Sequence, residues 1–278
     1  MKTCKIELKN QYSFVEGGTL ECIVMEKPYD ADKVWKRPAV IVVPGGGYGL
    51  VSKREGQPVA NAFLARGFQA FILDYLCGGE NGYSYPEQLF ELSAAVDYIK
   101  KNAEELYVNA DEIFVVGFSA GGHLVGNLAV EHQNVSKKTG VELDCKPTAV
   151  GLAYPVIYEE GHLGSYKNLL YGYTDEAKAE LLKTLNLHEA VNEQTPPAFV
   201  WTTAGDKVVR PDCSLKYVLA LEERKIPYEL HVYPQGGHGL STADLEVNQE
   251  GAHLRRISTW LEDCADFFRL FVTEKFKM

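Results

Sequence analysis

Apolar residues along this chain follow two different rhythms, and the change between them sets the architecture. At the N-terminus polar and apolar positions alternate. Residues 3–8 (TCKIEL) and 19–25 (TLECIVM) therefore read as strands at an antiparallel edge. The segment 26–37 is polar and charged and reads as a loop. From residue 38 onward the strand-like runs are short and mostly apolar, at 39–43, 68–73, 113–116 and 148–154 (stopped by Pro155), and 198–203 and 228–233 also read as strands. A short unbroken run bounded by turn residues indicates a strand covered on both faces, as in a parallel sheet.

Between these runs the spacing becomes helical. Val59, Ala60, Phe63 and Leu64 share one face of a helix over 55–66 that Gly67 ends. Leu89, Leu92, Ala95, Val96 and Ile99 do the same over 87–102. Further helices are expected over 120–131, 211–224 and 249–272. The segment 75–85 is a Gly- and Tyr-rich loop, and 156–195 is irregular with one short helix near 175–185. Strands alternating with helices predict an α/β fold, a mostly parallel sheet with helices on both faces. With no low-complexity linker and no internal repeat, one domain is expected over 1–278, with 156–195 as a candidate cap segment.

Composition narrows the function classes. A chain of 278 residues can bury roughly three quarters of its unfolded surface. The net charge of −10 argues against a nucleic-acid or anionic-membrane surface, both of which need clustered Lys and Arg. The N-terminal decapeptide has no uninterrupted apolar stretch of the signal-peptide kind, and no run of about 18 apolar residues occurs, so a cytoplasmic protein is expected. The six cysteines form no C-x-x-C pair, which removes structural zinc and thioredoxin-like chemistry and favours free thiols.

The chemistry begins at Gly117-Phe118-Ser119-Ala120-Gly121, which fits G-x-S-x-G, a serine on a sharp strand-to-helix turn. Chance alone would produce the pentapeptide in about one chain in ten, so the rest of the chain must supply what a nucleophilic serine needs. A serine hydroxyl needs a base as it attacks, usually a histidine oriented by a carboxylate. Of seven histidines, His231 lies inside a strand, His253 inside the last helix, His162 and His188 in the cap segment and His132 at a helix end. His123 falls one turn below Ser119 and reads as support. His238, in a glycine-flanked loop after the last strand, is the expected base. Asp206 follows the strand over 198–203 and completes the chain order Ser, Asp, His. Asp212 reads as a helix cap, and Glu159 and Glu160 are reserve carboxylates.

An acyl-transfer oxyanion needs donors placed for it. One should be the N–H of Ala120. Another should come from Pro44-Gly45-Gly46-Gly47-Tyr48, where Gly46, Gly47 and Tyr48 each qualify. No Gly-Lys-Ser/Thr follows these glycines, and Leu50 occupies the last glycine position of a dinucleotide fingerprint, so neither phosphate motif fits.

Together PGGGY, GFSAGGHL, TTAGDKVV and GGHGL resemble the α/β-hydrolase esterases related to acetyl-xylan esterases and hormone-sensitive-lipase-like carboxylesterases. The resemblance covers about 38–270 and rests on four motifs in order. It implies the α/β-hydrolase fold and hydrolysis of small acyl esters such as acetyl, with an acetylated sugar among the expected substrates and no metal or organic cofactor. It implies Ser119 as nucleophile, Asp206 as acid and His238 as base, with Gly46, Gly47 and Ala120 lining an oxyanion hole. Two departures stand out. Pro44 replaces the usual histidine of H-G-G-G, and Asp74-Tyr75-Leu76-Cys77 stands where Tyr-Arg is frequent. Tyr48 is the expected substrate contact, with Tyr154, Tyr171 and Tyr173 as further wall candidates. A homo-oligomer is compatible with the sequence. Two competing readings are a prolyl-oligopeptidase-like serine peptidase, suggested by the doubled glycine of G-x-S-x-G-G, and a non-catalytic α/β-hydrolase binding protein. The cysteine nucleophile of dienelactone hydrolases is absent.

Overall fold

The computed structural model describes residues 1–27, 35–249, 251 and 254–273. Eight strands form one sheet: β1 (Lys2–Glu7), β2 (Thr19–Val24), β3 (Arg37–Val43), β4 (Gln69–Asp74), β5 (Val108–Phe118), β6 (Ala149–Ala153), β7 (Ala198–Thr203) and β8 (Tyr228–Tyr233), in the order β1-β2-β4-β3-β5-β6-β7-β8. β1 and β2 pair antiparallel, β2 joins β4 antiparallel, and every later pairing is parallel. This is the mostly parallel sheet with an antiparallel edge that the two hydrophobic rhythms predict. Alternation fits strands with a wetter face, and continuous Val/Ile runs fit strands covered on both sides.

Helices cover both faces. The helices are α1 (Gln57–Ala65), α2 (Glu87–Lys101), α3 (Ala120–Thr139), α4 (Leu163–Leu169), α5 (Asp175–Leu185), α6 (Leu187–Ala190), α7 (Asp212–Glu223), α8 (Leu254–Ile257) and α9 (Trp260–Arg269). One apolar layer joins the sheet to α2, α3 and α7 through Leu89, Leu92, Leu124, Leu128, Tyr217 and Leu221. The other joins it to α1 and α9 through Val59, Phe63, Trp260 and Phe268. Phe268 stacks on Phe114 of β5 with centroids 4.5 Å apart, which fastens α9 to the central strand. No helix among the described residues is long and apolar enough to cross a membrane. All six cysteines are free.

Four expected boundaries move. β5 starts at Val108 rather than near 113, because Val108 pairs with Arg37 ahead of a register shift that resumes at Ile113–Ala39. α3 runs on to Thr139, with Gly140 as a left-handed C-cap, so His132 sits inside it rather than at its end. The segment 156–195 holds three helices, not one. The helix expected over 249–272 is broken into α8 and α9, and His253 lies outside the described residues. The break falls at Ser258 and Thr259, whose hydroxyls bond back to the carbonyls of Arg255 and Arg256 at 3.1 and 2.9 Å and compete with the helical ladder.

One buried acid affects stability. Glu91 of α2 is fully buried, and one of its oxygens accepts the Leu76 N–H at 2.8 Å. Burial, reinforced by Glu87, pushes its pKa up to about 9. The folded chain thus keeps Glu91 neutral at pH values where the unfolded chain ionises it, and stability should fall as pH rises from near 4.5 to 9. In thermal melts at pH 5, 7 and 9, Glu91→Gln should gain on the parent with each step in pH. Each kcal/mol corresponds to about 2–4 °C for a chain of this size. A Tm gap that does not change with pH would contradict this assignment.

Candidate active site

Ser119 links β5 to α3 at φ 52 and ψ −117, a conformation that an L-residue holds only under constraint. The constraint is visible on both sides. A Cβ on Gly117 would meet the Gly121 carbonyl oxygen at 2.3 Å, and one on Gly121 would meet the carbonyl oxygens of Val43 and Pro44 at the same distance. Only glycine lets the strand, the helix and the end of β3 approach this closely. The backbone is then pinned. Ser119 N–H donates to Ala153 O at 3.0 Å, and Ser119 O accepts from His123 and Val156 at 3.1 Å.

Three side chains from separate strand ends meet here. His238 Nε2 lies 2.8 Å from Ser119 Oγ, and His238 Nδ1 lies 2.7 Å from Asp206 Oδ2. The other Asp206 oxygen accepts the N–H groups of Val208 and Val209 at 2.9 and 3.0 Å, so both oxygens are engaged and the carboxylate cannot turn away. Because a carboxylate accepts, Nδ1 carries the proton and Nε2 presents its lone pair to the serine hydroxyl. The loops touch through glycines: a Cβ on Gly205 would meet Gly236 O at 2.6 Å. The Tyr154 ring packs edge-on to His238 with centroids 4.9 Å apart. Glu159 and Glu160 sit in a 3-10 turn after β6, and neither bonds to His238. Asp212 does not cap α7. It is the first helical residue, and its carboxylate accepts from the Tyr158 hydroxyl and Arg210.

The glycine loop after β3 turns back under Ser119. Gly46, Gly47 and Tyr48 have φ of 128, 62 and 59, so the chain makes three consecutive left-handed steps. The N–H groups of Gly46 and Gly47 meet no acceptor among the described residues, and the Ala120 N–H belongs to the unpaired first turn of α3. The loop is held from outside. Asn168 of α4 donates to Gly47 O at 2.9 Å, Gly78 N–H donates to Tyr48 O at 2.7 Å, and Glu55 accepts from Gly45 N–H at 2.8 Å.

Tyr48 is a correction. Its ring is buried, packed against Tyr75 and His123, so its side chain is not a wall for substrate. Its hydroxyl lies 2.8 Å from His123 Nδ1. His123 Nε2 lies 2.9 Å from the Leu185 carbonyl, which can only accept, so Nε2 carries the proton and Nδ1 accepts from Tyr48. Full burial lowers the His123 pKa to about 4, so the ring stays neutral and serves as a bridge between the glycine loop and α5. Of the other tyrosines, Tyr154 is buried behind His238, Tyr173 bonds the Tyr85 carbonyl at 2.7 Å, and Tyr171 is exposed.

Sequence reasoning passed over Glu55, Asn168 and Ser165 and set His162 aside in the cap segment. His162 caps α4, its Nδ1 lying 2.8 Å from Ser165 Oγ, and a Cβ on Gly47 would come within 3.8 Å of that hydroxyl. Burial first, and then the neighbouring His238, lowers the His162 pKa. These residues bear on the site only through tertiary contacts, and no local motif marks them.

Known proteins resemble this chain in sequence and in fold. A family model described as BD-FAE matches residues 28–221. The chain belongs to the BD-FAE family. It is 36% identical over 217 residues to Endo-1,4-beta-xylanase B of Butyrivibrio fibrisolvens, and 28% identical over 212 residues to an acetylxylan esterase of Xylanibacter ruminicola. The matches take in 76% and 72% of this chain but 34% and 40% of those proteins, so the chain spans well under half their length. The solved acetyl ester-xyloside bifunctional hydrolase of Caldicellulosiruptor lactoaceticus superposes with a TM-score of 0.80 at 29% identity, covering 96% of both chains. This BD-FAE chain has the α/β-hydrolase fold and resembles esterases built on it.

The Tyr48 correction can be tested. Tyr48→Phe leaves the buried His123 Nδ1 without a partner and should cost about 1–3 kcal/mol of stability, with KM for a small ester within about twofold of the parent. A tenfold rise in KM with unchanged stability would return the hydroxyl to the substrate.

Proposed function

We propose that this BD-FAE chain is a serine carboxylesterase that hydrolyses small acyl esters, acetyl foremost, through an acyl-enzyme on Ser119. The observation that carries the reading is the continuous hydrogen-bonded line from Ser119 Oγ through His238 to Asp206, with spans of 2.8 and 2.7 Å. A hydroxyl so placed can lose its proton to Nε2 as it attacks an ester carbonyl. Base assistance of this kind contributes roughly 10²–10⁴-fold. The negative charge that develops on the carbonyl oxygen falls to the Ala120 N–H and the N–H groups of Gly46 and Gly47. One such donor is worth about 3 kcal/mol.

His238 then returns the proton to the departing alcohol. Water attacks the acyl-enzyme by the same route, and Asp206 holds the imidazole tautomer throughout. Within 156–195, α4 is the part that borders the site, through Asn168 on the Gly47 carbonyl and the His162–Ser165 pair. An acetylated sugar as the alcohol component is supported by the named activities of the Xylanibacter and Caldicellulosiruptor proteins.

Ser119→Ala should lower kcat on p-nitrophenyl acetate by at least roughly 10³-fold, and Asp206→Asn by roughly 10⁴-fold, with both variants folded. A Ser119→Ala variant at the full parental rate would sink the proposal. An acyl series from acetyl to octanoyl, run beside acetylated xylo-oligosaccharides, should show kcat/KM highest for acetyl. A maximum at octanoyl, or faster cleavage of a peptide anilide, would contradict the substrate assignment.

A further inference from the structure

Ser119 can act only if two loops reach it at once. One supplies Gly46 and Gly47, and the other supplies His238. They leave the sheet from β3 and β8, and at the surface Arg54 of the first donates to Val247 O of the second at 2.7 Å. Beneath the elbow one buried side chain bonds the first loop directly and reaches the second through a tyrosine.

Glu55 lies in the 3-10 turn Lys53–Glu55 and is 4% exposed. Its Oε2 accepts the Gly45 N–H at 2.8 Å. A Cβ on Gly45 would lie 2.9 Å from that oxygen and 3.0 Å from Ser119 Cβ, so the carboxylate sits directly beneath the elbow. Its Oε1 accepts the Tyr154 hydroxyl proton at 2.7 Å. The Tyr154 oxygen in turn accepts the Ser241 N–H at 2.9 Å, in the loop that carries His238. Ser241 Oγ donates to Arg54 O at 2.6 Å, closing the ring back onto the turn that holds Glu55. The Tyr154 ring stands edge-on against His238.

A carboxylate buried this deeply is costly unless its oxygens are engaged. Here each oxygen takes one neutral donor: one lies in the glycine loop, and the other, Tyr154 at the end of β6, holds the His238 loop at Ser241. We propose that Glu55, acting through Tyr154, is the positioning residue that sets the glycine loop and the His238 loop at their working separation around Ser119. It touches neither substrate nor the reacting atoms. This rests on the acyl-enzyme reading above, and deepens it.

Tyr154 thus commits its hydroxyl to a carboxylate rather than to substrate. It also separates Glu55 from the carboxylate of Asp206. Asp206 acts on the histidine ring directly, whereas Glu55 acts on where the ring and the donors sit. Misplacement by a fraction of an ångström to about 1 Å is enough to lower a rate by up to roughly 10²-fold.

The test uses the full chain with Glu55→Gln, Tyr154→Phe, the double variant and Ser119→Ala, all measured well below their Tm. For the variants that keep Ser119, functional sites are counted by stoichiometric fluorophosphonate labelling, so that kcat is expressed per competent site, and Ser119→Ala is read as rate per chain. Each single variant should lose roughly 10- to 100-fold in kcat per site with KM within about threefold. The double variant should lose no more than the worse single, because both break one link. Unchanged kcat per site with only a lower Tm would make Glu55 a structural residue and overturn the inference. Losses that multiply in the double variant would also overturn it. If Glu55→Gln fails to fold, Tyr154→Phe, which keeps the ring on His238, decides by the same criteria. Ser119→Ala separates the two levels. Its inactivity beside fully active Glu55→Gln rejects this inference alone, and its full activity rejects the reading on which it rests.

Discussion

A strained backbone at Ser119 is the constraint on which the rest of the site depends. A left-handed serine costs of order 1–3 kcal/mol and persists only where its surroundings over-determine it. Here they do. β6 takes its N–H, His123 and Val156 take its carbonyl, and the end of β3 presses so close that Gly121 can carry no side chain. The strain raises the hydroxyl above the carboxyl edge of the sheet and aims the first turn of α3 at the same point. The loops after β3, β7 and β8 need only reach that point, and each reaches it through glycines or a buried bond rather than through surface contact.

Two layers of polar groups surround the elbow, and they differ in what they hold. The inner one is Asp206 with His238, where a carboxylate with both oxygens engaged fixes a ring. The outer one is Glu55, Tyr154, His123 and Asn168, which hold loops rather than reacting atoms. Such groups stay buried because each has partners, and removing one partner leaves the other group unpaired at a cost larger than the bond itself gains. The chain thus stakes part of its folding stability on the shape of the site.

The fold was legible from the sequence because its signal is local and repeated. Short apolar runs marked β3 to β7, and helical spacing marked α1, α2 and α7 within a residue or two. Boundaries failed where tertiary contacts outvoted pattern: at Val108, which pairs with Arg37 across a register shift, and at Ser258-Thr259, where hydroxyls break an apolar helical stripe. Within the site, Ser119, Asp206 and His238 could be singled out because each lies within two residues of a glycine after a strand and their order is informative. Tyr48 misled because the same position in a loop offers both a backbone N–H to the cavity and a ring to the core, and sequence does not say which way the ring goes. Glu55 was invisible: in LVSKREGQP a glutamate among charged neighbours reads as solvated surface, and only the fold buries it.

The most direct test of the central claim asks which atom becomes covalently bound. The protein is treated with a fluorophosphonate, residual esterase activity is followed, and the adduct is mapped by peptide mass spectrometry. The account predicts one adduct per chain, on Ser119, with activity lost in proportion to labelling. An adduct on another residue, or esterase activity that survives complete labelling of Ser119, would contradict it.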